Sequence, residues 1–211
     1  MSKKSKKILK IGVTGSAGSG KSGVVKAFEG LGLVTFDCDQ IARDLVAPGA
    51  AGYEQVVEIF SYDVVSSDRT LDRKRMREMM LADPELRRAL EAVLHPLIIH
   101  SLFSRIQSAA YNKEAACAVE VPLLFELGMQ DRFDVTVTVT AREDDLVGRI
   151  ADRDKVTAQS ARKMLNLQLA QEEKALHSDY VIENRGSLGE LVESVGDLYR
   201  KIQKDCLTRK R

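Results

Sequence analysis

The chain has 211 residues, 44% of them apolar, which is enough for a substantial core in one domain with insertions. Its formal net charge is +1, which excludes a global field favouring nucleic acid or acidic membrane surfaces. Its three cysteines, Cys38, Cys117 and Cys206, form no C-x-x-C pair, so free thiols in a reducing cytoplasm are expected rather than a disulfide framework.

The ends are locally basic, with Lys3, Lys4, Lys6 and Lys7 at the start and Arg209, Lys210 and Arg211 at the finish. They lack interleaved aromatics and read as solvated termini rather than a nucleic-acid arm. No segment reads as long and apolar enough to span a membrane. No signal-peptide core is visible either, because the first apolar run reads as a strand. No exposed apolar seam suggests self-association, so a monomer is expected.

That first strand is expected over Lys7–Thr14. It runs into Gly15-Ser16-Ala17-Gly18-Ser19-Gly20-Lys21-Ser22, the pattern G-x-x-x-x-G-K-S. Glycines at these positions let successive backbone N–H groups turn inward on phosphate oxygens. Lys21 is placed to reach the β- and γ-phosphates, and the Ser22 hydroxyl to ligate Mg²⁺. A helical pattern through Val24, Val25 and Phe28 follows, and its N-terminus adds to the anion site. A glycine-rich turn that binds nothing is the competing reading. The Lys-Ser pair and the strand–turn–helix context weigh against it.

The second strand, Leu33–Asp37, ends in Asp37-Cys38-Asp39 and then Gln40-Ile41-Ala42-Arg43. Ligands of open α/β sheets sit at the carboxyl ends of strands, so this acidic pair is expected in the same crevice as the glycine-rich loop. On an extended chain Asp37 and Asp39 point the same way. A carboxylate there can orient an acceptor hydroxyl or help hold the metal. Asp39 is equally suited to cap a helix starting at Gln40, and the two roles are compatible. Cys38 reads as a small buried side chain.

About 80 residues separate this strand from the third, with amphipathic patterns at Tyr53–Phe60, Arg73–Leu81, Glu85–Leu94 and Leu97–Tyr111. That is too much for a loop and predicts a helical sub-domain. Asp83-Pro84 reads as a helix start. His95 is read as a polar residue at a helix junction before Pro96. His100 falls on another helix face, so a zinc site is not expected. Asn112-Lys113-Glu114-Ala115 lacks the aspartate of a guanine-reading motif.

The third strand, Ala116–Val121, carries Glu120 near its end, the place of a carboxylate directed at a metal, here through a bound water; an isolated strand-end acid is the competing reading. Leu123, Leu124 and Phe125 follow and suit either a ligand's apolar part or the core. A fourth strand is expected over Val135–Thr140. The charged helical interval Glu143–Ser178 carries Arg149, Arg153 and Arg162 and suits a lid over phosphates. A fifth strand, Tyr180–Glu183, precedes a last helix from about Leu188 to Cys206. The alternation predicts an α/β fold, a doubly wound parallel sheet of about five strands of the P-loop NTPase type. The expected division is 7–47 with 114–145 and 179–208 for the nucleotide-binding core, 48–113 for the helical sub-domain and 146–178 for the lid.

With these pieces in order, the chain resembles the bacterial dephospho-coenzyme A kinases. The matching segments are Thr14–Ser22, Asp37–Arg43, Leu71-Asp72-Arg73, His95–Ile98, Val121–Glu126, Arg149–Asp154 and Asp179–Asn184. The resemblance implies transfer of the γ-phosphoryl of ATP, with Mg²⁺, to the ribose 3′-hydroxyl of dephospho-coenzyme A. By that likeness Lys21, Asp37, Asp39, Arg149 and Arg153 are the catalytic set. Gly15, Gly18, Ser19, Gly20, Lys21, Ser22, Gly23 and Asn184 would bind ATP, with Asn184 bordering the adenine. Arg43, His95, Pro96, Pro122, Leu123, Leu124 and Phe125 would line the acceptor pocket, and the helical sub-domain 48–113 would be the acceptor-binding one. The sequence departs from the family pattern at Gly23, where Thr is usual, and at Ser16-Ala17, where Gly-Ile is usual. It departs again at Cys38, where Ala is common, and at Met164, where Arg is frequent. The rivals to this reading are another P-loop nucleoside or nucleotide kinase and a non-catalytic nucleotide-binding switch. A nucleic-acid-binding ATPase is disfavoured by the near-neutral charge.

Overall fold

Continuous apolar runs bounded by glycine and charge produce five parallel strands. In the computed structural model, which describes residues 7–208, these are β1 (Leu9–Gly15), β2 (Val34–Asp37), β3 (Ala116–Glu120), β4 (Val135–Thr140) and β5 (Tyr180–Glu183). They form one sheet in the order β2-β3-β1-β4-β5. The central strand β1 pairs with both β3 and β4, so the chain reverses direction of winding beside the loop that follows β1. All five strand expectations hold. The edge strand β2 is only half-buried, whereas every residue of β3 is buried.

The basic residues Lys3, Lys4, Lys6, Arg209, Lys210 and Arg211 lie outside the described residues. Lys7 pairs with Asp134 at 2.6 Å.

The chain divides into two compact units, one comprising Cys38–Ser108 and the other the residues before and after it. In the sheet unit, α1 (Lys21–Gly30) and α9 (Leu188–Thr208) cover one face. Phe28 and Ile202 are fully buried in this core, and Phe28 meets Tyr199 edge-on at 6.1 Å. On β4 the pattern Val-Thr-Val-Thr-Val-Thr would ordinarily leave one face wet. Here Thr136 and Thr138 are buried and bonded instead. Thr136 Oγ1 donates to Asp179 at 2.9 Å, and Thr138 Oγ1 to the Lys174 carbonyl at 3.1 Å. The unit is completed by α6 (Glu143–Asp154), α7 (Ala158–Leu165) and α8 (Gln171–His177).

The helical unit contains α2 (Cys38–Leu45), α3 (Tyr53–Phe60), α4 (Arg73–Ala82) and most of α5 (Pro84–Tyr111). It begins ten residues earlier than position 48, because α2 belongs to it. The Arg105–Asp44 ion pair at 3.0 Å ties α2 to α5. Val56, Phe60 and Val64 form its fully buried centre. Asp72 caps α4 by accepting from the Arg75 amide at 2.9 Å, and Asp83 accepts from the Glu85 amide at 2.9 Å as α5 starts.

Two expectations are corrected here. The patterns Glu85–Leu94 and Leu97–Tyr111 are one 28-residue helix with Pro96 inside it, so His95 stands at no junction. Pro96 lies on the exposed face of the helix, where a missing backbone bond leaves no buried polar group. By length and composition the joined α5 is also apolar enough to cross a membrane, which neither half alone is. Arg105, within α5, spends its charge on a half-exposed ion pair, a contact suited to aqueous surroundings.

Candidate functional site

The glycine-rich loop closes on itself through its own backbone. Gly15 and Gly20 have φ of 145° and 97°, values that favour glycine. A Cβ on Gly20 would strike the Asn184 side-chain amide. Lys21, only 7% exposed, donates from Nζ to the Ser16 carbonyl at 3.1 Å. The ammonium therefore lies across the loop it is expected to serve. Ser19 Oγ is buried and makes no hydrogen bond, an orphan that an oxygen-rich ligand would satisfy.

Ser22 Oγ donates to Glu120 Oε1 at 3.2 Å. This joins the first turn of α1 to the end of β3. In the sheet register Glu120 stands opposite both Val13 of β1 and Asp37 of β2, so the two carboxylate-bearing positions are neighbours at one sheet edge. The donors here are oxygens, as a hard divalent cation requires. Among the described residues no group of three or more His, Cys, Asp and Glu could hold a metal alone. A cation shared with substrate phosphates needs only one or two protein oxygens, so the Ser22–Glu120 pair fits such an ion.

Three successive loop residues are gripped from elsewhere in the sheet unit. The Ala17 amide donates to Gln168 Oε1 at 3.0 Å. The Gly18 carbonyl accepts from Arg149 at 3.0 Å, and the Ser19 carbonyl from Asn184 at 2.8 Å. Asn184 was expected beside the adenine; it is buried and holds the loop itself.

The segment from Gln168 to Lys174 is a strap across the sheet's carboxyl edge. Gln168 holds Ala17 after β1. The Leu169 amide donates to Glu126 at 3.1 Å. Gln171 exchanges bonds with the Ala141 backbone after β4, at 3.2 and 3.0 Å. Lys174 is fully buried; its Nζ donates to the Pro122 carbonyl at 2.9 Å and pairs with Glu126 at 2.8 Å. The Pro122 carbonyl also accepts from Thr14 Oγ1 at 3.2 Å. Gln168, Gln171 and Lys174 were not foreseen as site residues, and nothing in the charged run Gln171-Glu172-Glu173-Lys174 signals a buried cation.

A cavity of about 570 Å³ opens beside the loop, lined by Ser16, Arg142, Arg162, Gln168 and Arg185 among others. Its size suits a nucleotide. Arg162 pairs with Glu143 at 2.5 Å and Arg142 with Asp145 at 3.0 Å. Arg153 pairs with Asp154 at 2.9 Å on an exposed face of α6. Met164 packs with Ala17 against Val147, Ile150 and Ala161, so the position read as a missing lid arginine is an apolar contact. Gly23 faces Leu191 of α9 closely, leaving little room for a larger side chain.

The remaining expected residues divide by location. Leu124 is fully buried against Gly12, which makes it core rather than pocket lining. Leu123 and Phe125 are half-buried, and Phe125 meets His177 with ring centres 6.0 Å apart. In the helical unit, Asp39 is exposed in the first turn of α2, which begins at Cys38, not Gln40. Asp39 is thus inside the helix rather than its cap, and strand alternation no longer relates it to Asp37. Arg43 donates to Gln40 at 3.0 Å on the same helix. His95 is half-buried on α5.

Residues 9–190 match the family model described as dephospho-CoA kinase. The chain belongs to the dephospho-CoA kinase family. The Geobacter metallireducens dephospho-CoA kinase is 35% identical over 92% of this chain and 96% of its own. Among solved structures, TT1252 from Thermus thermophilus superimposes with a TM-score of 0.79 at 30% identity, covering 93% of this chain and 98% of that one. The Campylobacter jejuni dephospho-CoA kinase gives 0.69 at 26% identity over the same shares. Membership of the dephospho-CoA kinase family makes the chain an ATP-dependent kinase.

Proposed function

We propose that this protein transfers the γ-phosphoryl of ATP to the ribose 3′-hydroxyl of dephospho-coenzyme A, giving coenzyme A and ADP. The observation that carries the reading is the Ser22–Glu120 bond at 3.2 Å beneath a complete phosphate loop. Ser22 and Glu120 would hold Mg²⁺, which would supply charge neutralisation on the donor phosphates. The loop amides and Lys21 hold those phosphates, Lys21 exchanging the Ser16 carbonyl for phosphate oxygen. Gly15, Gly18, Ser19, Gly20, Ser22 and Gly23 shape the cradle, and Asn184 fixes it. Arg149 and Arg153 meet charge developing on the transferring group. Asp39 accepts the hydrogen bond of the acceptor hydroxyl, and Asp37 supports it. Arg43, His95, Pro96, Pro122, Leu123 and Phe125 contact the acceptor. The enzyme works as a monomer in the cytoplasm.

The test is a coupled assay of ADP release with ATP, with and without dephospho-coenzyme A. The expected result is acceptor-dependent turnover with coenzyme A as product. Slow nucleotide hydrolysis indifferent to dephospho-coenzyme A would overturn the reading. Preferential phosphorylation of a nucleoside or nucleotide would do the same.

A further inference from the structure

Gln168 opens the strap, and its carboxamide is the group that meets the phosphate loop. Its Oε1 accepts from the Ala17 amide at 3.0 Å. A backbone N–H can only donate, so this bond settles which way the carboxamide faces. The Nε2 end is left over, and among the described residues it donates to no protein group. Gln168 is half-buried and lines the cavity of about 570 Å³ together with Ser16. The three arginines of that cavity are differently engaged. Arg142, Arg162 and Arg185 each pair with a carboxylate, at 3.0, 2.5 and 3.2 Å.

The carboxamide is mounted firmly. The Gln168 backbone amide donates to the Leu165 carbonyl at 3.0 Å, at the end of α7. Met164 and Leu165 pack with Ala17 against Val147, Ile150 and Ala161, so the end of α7 already touches the loop through apolar atoms. The next amide, that of Leu169, is fixed on Glu126 at 3.1 Å. A donor held this way has little freedom left to lose when a ligand binds. Its place along the donor phosphates follows from Lys21. A P-loop lysine serves the β- and γ-phosphates. The Lys21 ammonium lies on the Ser16 carbonyl at 3.1 Å, and Ser16 directly precedes Ala17. The γ end of the nucleotide therefore belongs beside the Ser16–Ala17 limb of the loop, where Gln168 stands.

We propose that Gln168 sets the preference for a nucleoside triphosphate over a diphosphate. Its Oε1 fixes the Ala17 amide, and its Nε2 donates to an oxygen of the terminal phosphate. The bond to Nε2 is lost when that phosphoryl group leaves, so the diphosphate product is held less tightly than the triphosphate substrate. The proposal rests on the donor half of the reading above and not on which acceptor receives the group.

Calorimetric titration of the full chain with ATP and with ADP, each with Mg²⁺, tests it in the wild type, Q168M and Q168E. The readout is the ratio of ATP to ADP affinity, which an inactive fraction of protein does not alter. In Q168M both polar ends are lost at similar side-chain length. The ratio should fall about tenfold, as expected for losing a hydrogen bond to a charged group. In Q168E a carboxylate oxygen still accepts from the Ala17 amide, but the donor is replaced by a negative charge facing the terminal phosphate. The ratio should fall further there than in Q168M. Equal losses of ATP and ADP affinity in both variants would mean that Gln168 only shapes the loop, and would overturn the proposal. Wild-type ATP affinity in Q168E would overturn it as well. Either result with a wild type that binds ATP sinks this proposal alone. A wild type that binds neither nucleotide sinks the donor reading and this proposal together.

Discussion

The Lys174 ammonium donates to the Pro122 carbonyl at 2.9 Å from a fully buried position. Through this bond the helix α8 fixes the turn that leaves β3, and Glu126 completes the charge pair at 2.8 Å. Thr14, one residue before the phosphate loop, shares the same carbonyl. One buried cation therefore joins the ends of two central strands. Replacing it with an apolar chain of similar length keeps the volume and removes both charged bonds. Lys174→Met should lower stability by about 1–3 kcal/mol, since Glu126 is partly hydrated and Pro122 keeps its bond from Thr14. Urea unfolding should show a lower midpoint at unchanged slope. A midpoint equal to the wild type's would mean that the strap carries no weight.

The loop is closed tightly enough that one methyl group should open it. Gly20 has φ of 97°, and a side chain there would collide with the Asn184 amide that holds the Ser19 carbonyl. Gly20→Ala must strain the backbone, displace Asn184, or both, at about 1–3 kcal/mol for the backbone strain. ATP affinity, measured by calorimetry, should fall about tenfold or more, because the cradle amides lose their alignment. Asn184→Ala should weaken ATP binding less, since it loosens the loop without straining it. Wild-type affinity in Gly20→Ala would show that the observed closure is not what binds phosphate.

The strands were legible because parallel strands buried on both faces need near-continuous apolar runs, and Ile11, Val13, Val119 and Val137 supply them. The glycine-rich loop was legible because its backbone conformation demands glycine at fixed offsets. The break expected at Pro96 was not real. A proline removes one backbone bond, but partly buried Leu94, Leu97 and Ile98 on either side hold the helix together. Of the two roles open to Asp39, the cap does not hold, because α2 begins at Cys38 and helix starts are set by backbone bonding within a residue or two, which side-chain preference only approximates. Gln168 and Lys174 could not be seen at all. Their roles depend on which distant backbone atoms meet them, and a charged run looks the same whether solvated or buried.

The cysteines make a separate, simple test of the core. Cys117 lies in the fully buried strand β3, and burial pushes its thiol pKa up to about 12. The thiolate is the reactive form, so Cys117 should be inert to alkylation at pH 8 in the folded protein. The buried Cys38 should also react slowly, while the half-buried Cys206 reacts first. Mass spectrometry after brief iodoacetamide treatment should find modified Cys206 and unmodified Cys117. Urea should make all three thiols reactive. Rapid labelling of Cys117 without denaturant would contradict the packing of β3.

The division of labour between donor and acceptor residues can be separated kinetically. Lys21 sits within the phosphate loop, and its ammonium already lies on the Ser16 carbonyl at 3.1 Å. Lys21→Ala should therefore raise the KM for ATP and lower kcat together, since donor binding and transition-state charge both depend on it. Asp39 is exposed at the start of α2, in the other unit, so removing its charge should leave the phosphate loop intact. Asp39→Asn should keep ATP affinity and the unfolding midpoint while lowering kcat by about 10² or more, the range for losing a general base. Asp37→Asn should have a smaller effect on kcat, because Asp37 ends β2 beside Glu120 and serves the site through that edge. Near-normal turnover in Asp39→Asn with a large loss in Asp37→Asn would reverse the two assignments. Near-normal turnover in both would remove the acidic pair from the chemistry and leave the donor site to act by positioning alone.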